Sequence, residues 1–264
     1  MFAIYRTLFK TTLSEHLQYR VSLLIWLLGF ILEPTVYMVV WMTIARSHGG
    51  SVGTFSSSDL ALYYLASMLI NHLTFDWHFH EMEPRIRNGA FSPQLLRPLH
   101  PIHIDLAENI TYKLLTFPFM FAAAAGLFWF FGPSLKTPLW AAALFVPALA
   151  MAFVLRFLLE WTLALAAFWT TRTQAVNTTY ILFATFLSGR FTPLELLPAT
   201  FQRVARALPF HLWISFPVEL LLGRLTPDVA CRQLAEQAIW IVALFALFQF
   251  VWSRGIKRYA AVGA

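Results

Sequence analysis

Six runs of predominantly apolar residues recur along the chain, roughly at 21–45, 60–80, 105–131, 138–170, 173–189 and 233–253. A helix needs only about 20 residues to cross a hydrocarbon core of about 30 Å, so the pattern predicts an all-α integral membrane protein with six transmembrane helices. An even number of crossings puts both termini on one side. Residues 1–20 follow another pattern: Tyr5, Phe9, Leu13 and Leu17 form one stripe and Arg6, Lys10, Ser14 and Gln18 lie beside it. That predicts an N-terminal amphipathic helix lying in the membrane interface, the alternative being an extension of the first span. The stretch 190–225 mixes Pro193, Pro198, Pro209 and Pro217 with apolar residues. It reads as two short helices dipping back into the membrane, since irregular backbone at that depth is tolerated where protein buries it, and otherwise as a plain loop.

Composition sharpens this picture. Of 264 residues 59% are hydrophobic and 12% charged, against about 25% charged in soluble domains. The formal charge of +6 fits cytoplasmic loops facing anionic lipid better than nucleic acid, which is discounted as a partner in favour of membrane lipid. Arg6, Lys10, Arg20, Arg85, Arg87, Arg97, Arg172, Arg254, Lys257 and Arg258 fall on one side of the predicted spans, which the positive-inside tendency makes the cytoplasm. Arg190, Arg203, Arg206, Arg224 and Arg232 fall on the other and weaken the bias. Trp26, Trp41, Trp77, Trp129, Trp140, Trp169, Trp240 and Trp252 mostly sit toward span ends, where interfacial belts form. No cleavable leader is expected, because the run after the charged first twenty residues is long enough to remain as an anchor. The single Cys231 excludes an intramolecular disulfide and a cysteine metal cage.

No Gly-x-x-x-x-Gly-Lys-Ser/Thr loop is present, so no backbone cradle for nucleotide phosphates exists in the chain and no catalytic residue is assigned. The charged residues inside spans are the functional candidates, since a charge at membrane depth is expensive. Glu33 precedes Pro34 near the middle of the first span and would pair, be protonated or meet a cationic substrate. Arg156 and Glu160 are spaced to pair along one helix face, the alternative being that Arg156 partners Glu33. Asp76 belongs to a polar cluster with Asn71, His72, His78, His80 and Glu81. His78 and His80 leave different faces of one helix, so no metal site is assigned. The sequons at Asn109 and Asn177 fall at the cytoplasmic ends of spans and are expected to be inert.

Three segments carry a family resemblance. Glu81-Met-Glu-Pro-Arg-Ile-Arg-Asn-Gly-Ala-Phe-Ser-Pro-Gln-Leu-Leu-Arg-Pro-Leu99 resembles the cytoplasmic motif of ABC-2 type permeases. Ser188-Gly-Arg-Phe-Thr-Pro-Leu-Glu-Leu-Leu-Pro198 with Ala207-Leu-Pro-Phe210 resembles that family's segment between the fifth and sixth spans, and Arg254–Ala264 is similar to the ending of its DUF990 branch. The resemblance covers essentially the whole chain and implies a single transmembrane domain, 1–264, of an ABC exporter in the cytoplasmic (inner) membrane. Both termini would face the cytoplasm. Partner ATPase subunits would bind ATP and Mg, this chain binding no cofactor, and a second permease would complete the pathway, a paralogue being favoured over an identical copy. Residues 81–97 would form the ATPase-coupling segment. There Glu81, Glu83, Arg85, Arg87 and Arg97 would supply charges, and Ile86, Phe91, Leu95 and Leu96 apolar knobs. Gly189, Pro193, Pro198 and Pro209 would shape the outer re-entrant segment. The expected substrate is a lipophilic or cationic drug-like compound, the alternative a lipid or lipid-linked glycan. An ion-coupled secondary transporter or a membrane-embedded enzyme is a more distant reading, since neither an internal repeat nor a clustered nucleophile and base is visible.

Overall fold

The structure, a computed structural model, describes residues 2–170 and 172–259. The Arg20 side chain and the last five residues of the family-like tail, Ala260–Ala264, lie outside what is described. Helices α1 (Phe2–Gln18) and α2 (Arg20–Ser47) lead into a two-residue hairpin, β1 (Ser51–Val52) with β2 (Phe55–Ser56), and then α3 (Ser57–Thr74). After a break at residues 75–77 come α4 (His78–Arg87), α5 (Ser92–Leu95), α6 (Pro101–Phe131), α7 (Leu139–Ala164) and α8 (Gln174–Leu187). The chain closes with α9 (Ala199–Ala207), α10 (Ser215–Leu221) and α11 (Pro227–Gly255).

Among the described residues, four helices are long and apolar enough to cross a membrane: Val21–Ser47, Pro101–Phe131, Leu139–Phe168 and Pro227–Gly255. The expected spans at 60–80 and 173–189 appear as α3 and α8, of 18 and 14 residues. The span expected to reach residue 80 therefore ends earlier, at Thr74. The reason is local: Phe75 takes extended backbone, and a new helix begins at His78.

Local chemistry fixes the ends. Ser56 and Asp59 exchange a capping box at the start of α3, satisfying two amides that the first turn would leave unpaired. Pro101, whose missing amide costs nothing at a first helical position, opens α6 behind an His100 Nδ1 that accepts from the Ile102 amide. Gly132 ends α6 in the left-handed conformation that suits glycine.

Packing places α3 at the centre, against α2, α6, α7 and α10, while α11 lies along α7 and α1 along α6. Tyr5, Phe9 and Leu13 of the expected stripe are half-buried and Leu17 is exposed. The outward faces of α2 and α11 expose Val21, Ile25, Leu28 and Leu32, and Ile239 and Val242. Such continuous apolar surface suits hydrocarbon, where it displaces no water. Residues 190–225 fold back onto the helical body, burying Leu212, Trp213 and Ile214 completely. Tyr63 Oη donates to the Gly189 carbonyl at 2.7 Å, Tyr64 Oη to the Phe191 carbonyl at 2.9 Å, and the Ser215 amide to the Ser188 carbonyl at 3.0 Å. At φ +87° and with the Tyr63 hydroxyl 2.6 Å from where a Cβ would sit, position 189 requires glycine.

Candidate functional site: a buried polar junction at a helix break

The break between α3 and α4 exposes backbone groups at 75–77 that cannot bond within either helix. Side chains from two other helices satisfy them. Glu160 of α7 accepts from the Asp76 amide at 3.0 Å, Lys113 of α6 donates to the Phe75 carbonyl at 2.9 Å, and Asn109 donates to the same carbonyl at 3.3 Å. Asn109 also donates to Asp76 Oδ1 at 2.9 Å, and His78 Nδ1 lies 2.5 Å from that oxygen. Physical chemistry accounts for these residue types. An unpaired backbone group in an apolar interior costs several kcal/mol, on the order of 2–7, and charged partners offset that most strongly.

Two buried charges beside the break, Arg156 and Glu160, pair with each other. Arg156 Nε donates to Glu160 at 2.9 Å, and the same guanidinium reaches Asn71 at 2.9 Å and Thr74 at 3.2 Å, binding α7 to the last turn of α3. Tyr180 of α8 donates to Glu160 at 2.7 Å. Arg156 therefore takes Glu160, its neighbour one turn along, and not Glu33. Glu33 pairs instead with Arg190 of the fold-back segment.

The coupling segment expected at 81–97 is α4 with its following turn and α5. Much of it faces inward. Arg85 bridges Glu81 at 2.5 Å and Asp105 of α6 at 2.6 Å, and Asp105 also accepts from Trp161 at 2.9 Å. Glu83 accepts from the amide and hydroxyl of Thr173, just before α8, at 2.6 and 3.0 Å. Phe91 is fully buried against Phe168, Trp252 and Tyr259, so it serves the chain's own core and cannot be an outward knob. Ile86 and Leu95 are partly buried against the same core. Of the expected coupling residues, those left facing outward are Arg87, Arg97 and Leu96, the last 88% exposed. Of the expected outer-segment residues, Gly189 is locked as described, Pro193 and Pro198 flank the short turn Leu194–Leu196, and Pro209 is buried at the start of the turn Pro209–Leu212.

His78, Asp105 and Glu108 converge as metal-ligand types: His78 Nε2 is 3.9 Å from Asp105 and 3.6 Å from Glu108. The Arg85 guanidinium, however, already sits on the Asp105 oxygen nearest His78. A cation is thus in place without a metal. His80 points elsewhere, toward a cavity lined also by Trp77 and Glu108. Both sequon asparagines are buried, Asn177 donating to the Phe79 carbonyl at 3.2 Å.

Sequence reasoning identified Asp76, Arg156 and Glu160 but missed Asp105, Asn109, Lys113 and Tyr180. The spacing of Asp105, Asn109 and Lys113 at four-residue intervals was a legible signal, one polar stripe on an otherwise apolar helix. A family model described as ABC-2 family transporter protein matches residues 31–263. No curated protein and no solved structure matches the chain.

Proposed function

Because the chain belongs to the ABC-2 family of transporter proteins, we propose that it is the permease half of an exporter whose separate ATPase subunits dock on the end carrying α4. In this reading 1–264 is one transmembrane domain of six crossings in the cytoplasmic membrane, with both termini and α4 cytoplasmic, α1 in the interface and 190–225 re-entrant on the outer side. ATP and Mg belong to the ATPases. A second permease, a paralogue, completes the pathway, and the cargo is a lipophilic or cationic drug-like compound.

One observation carries the proposal. α4 is bound by partly buried, charge-assisted hydrogen bonds to α6, through Arg85 and Asp105, and to the entry of α8, through Glu83 and Thr173. The break just before it is bound to α7 through Glu160. A displacement of α4 by an ATPase would be delivered to three helices at once, because packed interfaces of this kind move as units and do not deform gradually. Co-expression with the neighbouring genes tests it. An ATPase is expected to co-purify with vanadate-sensitive activity, and Arg87→Glu with Leu96→Glu, both outward-facing, to reduce its recovery at least about tenfold, roughly 1.4 kcal/mol of docking. Unchanged recovery would remove the docking surface from α4 and α5.

A further inference from the structure

A cavity of about 770 Å³ opens beside the junction, between α1, α2, α4 and α6, and runs from His16 and Glu108 at one end to Glu33 and Arg190 at the other. Its size suits a drug-sized molecule. Its walls are aromatic: Phe30 meets Phe75 edge-on at 5.3 Å, and Trp77 meets Tyr112 at 4.9 Å, with Trp26 along the open side. Ring faces attract cations.

Three carboxylates reach this space, and two are already neutralised. Glu33 is paired with Arg190 and Glu81 with Arg85. Glu108 has no arginine or lysine partner among the described residues; its nearest basic atom is His78 Nε2 at 3.6 Å, and its side chain remains 28% exposed. Burial holds the His16 imidazole below its ordinary value, so at neutral pH it adds no positive charge to repel a cation. His78 is itself shared with Asp76 and Asp105, so the two cations His78 and Arg85 serve four carboxylates, Asp76, Glu81, Asp105 and Glu108, and an aromatic box beside that surplus of negative charge is complementary to a large, weakly hydrated cation and unfavourable to an anion.

We infer that this cavity binds a monovalent organic cation bearing aromatic groups, held by Glu108 and the rings of Trp26, Phe30 and Trp77. This assignment rests on the permease reading and deepens it by placing the cargo's binding site within a single subunit, beside the helix break.

Gly29 of α2 lines the cavity, and a Cβ there would meet nothing within 4 Å. Gly29→Leu therefore narrows the cavity from a position where its Cβ meets nothing and raises helix propensity, which separates loss of binding from loss of folding. The test is equilibrium binding of labelled tetraphenylphosphonium to the purified full chain with its co-expressed partners, competed by neutral triphenylphosphine oxide. Expected are saturable binding, competition by the neutral compound at least about tenfold weaker, and affinity reduced at least about tenfold in both Gly29→Leu and Glu108→Gln, about 1.4 kcal/mol each. Equal competition by the neutral compound, or wild-type affinity in Gly29→Leu, overturns the assignment. If the ATPase co-purifies while Gly29→Leu binds normally, the cavity assignment falls and the permease reading stands. If binding behaves as expected but no ATPase associates, the binding site stands and the transport reading falls.

Discussion

Glu160 accepts three hydrogen bonds, from Arg156, Tyr180 and the Asp76 amide, and is completely buried. Removing one member of such a pair strands the other charge at a cost of about 3–5 kcal/mol, whereas replacing both with apolar residues of similar size is often near neutral. Glu160→Leu is accordingly expected to lower thermal stability in detergent severely, and Arg156→Met with Glu160→Leu to recover part of it, the Asp76 amide, the Tyr180 hydroxyl and the Asn71 oxygen remaining without those partners. Additive losses in the double variant would contradict the pairing. His100 is governed by burial instead. Its place among Trp161, Phe248 and Trp252 pushes the imidazole down to about 4, and its Nδ1 must stay unprotonated to accept from the Ile102 amide. Between pH 6.5 and about 4 the unfolded chain then binds a proton that the folded chain refuses. The contribution of His100 is whole above pH 6.5 and is lost as pH falls toward 4. His100→Asn, which keeps a capping acceptor, should flatten the loss of stability measured by unfolding between about pH 7 and pH 5.

At the level of elements, the segment of α4 and α5 proposed to couple to an ATPase is held less by its own helices than by what lies beneath it. Ser92 and Tyr259 hydroxyls meet at 2.5 Å, Phe91 rests on Phe168 and Trp252, and Gly255 lies so close to the Phe168 ring that a Cβ there would collide with it. Gly255→Ala should therefore lower thermal stability by roughly 1–3 kcal/mol through overpacking, even though alanine is the better helix former. A gain in stability would show that α11 and the turn Leu165–Phe168 slide apart freely. The same elements show what the sequence made legible. Apolar runs announced the long helices and Gly89 the end of α4, because these signals are local, whereas Pro84, which suits a first turn, lies inside α4, and Pro93, which suits a stop, opens α5. The inward turn of Phe91 and the partnership of Glu33 with Arg190, 157 residues apart, depend on which helix lies beside which, and a periodic pattern states only that a face is apolar. The early end of α3 escaped notice for a related reason: Phe75 and Trp77 continue the apolar run, while the break is stabilised by Lys113, Asn109 and Glu160 from other helices.

Across the whole molecule, the polar junction and the exposed Leu96 and Arg97 lie toward one end, the β1–β2 hairpin and the fold-back segment close the other, and the aromatic cavity runs from beside the junction to Arg190 of the fold-back segment. There Arg224 joins Glu195 at 2.9 Å and lies 3.9 Å over the Phe55 ring. A transporter driven by external ATPases needs such polarity, with a docking surface at one end joined rigidly to the helices that must move. Cross-linking tests this most directly. In a Cys231→Ser background, a cysteine at position 96 and another at position 129, on the exposed Trp129 near the far end of α6, would be assayed in the complex co-expressed with its ATPase. The account predicts a cross-link to the ATPase from position 96 and none from position 129. A cross-link from 129, or none from 96 in a complex that retains its ATPase, would contradict it.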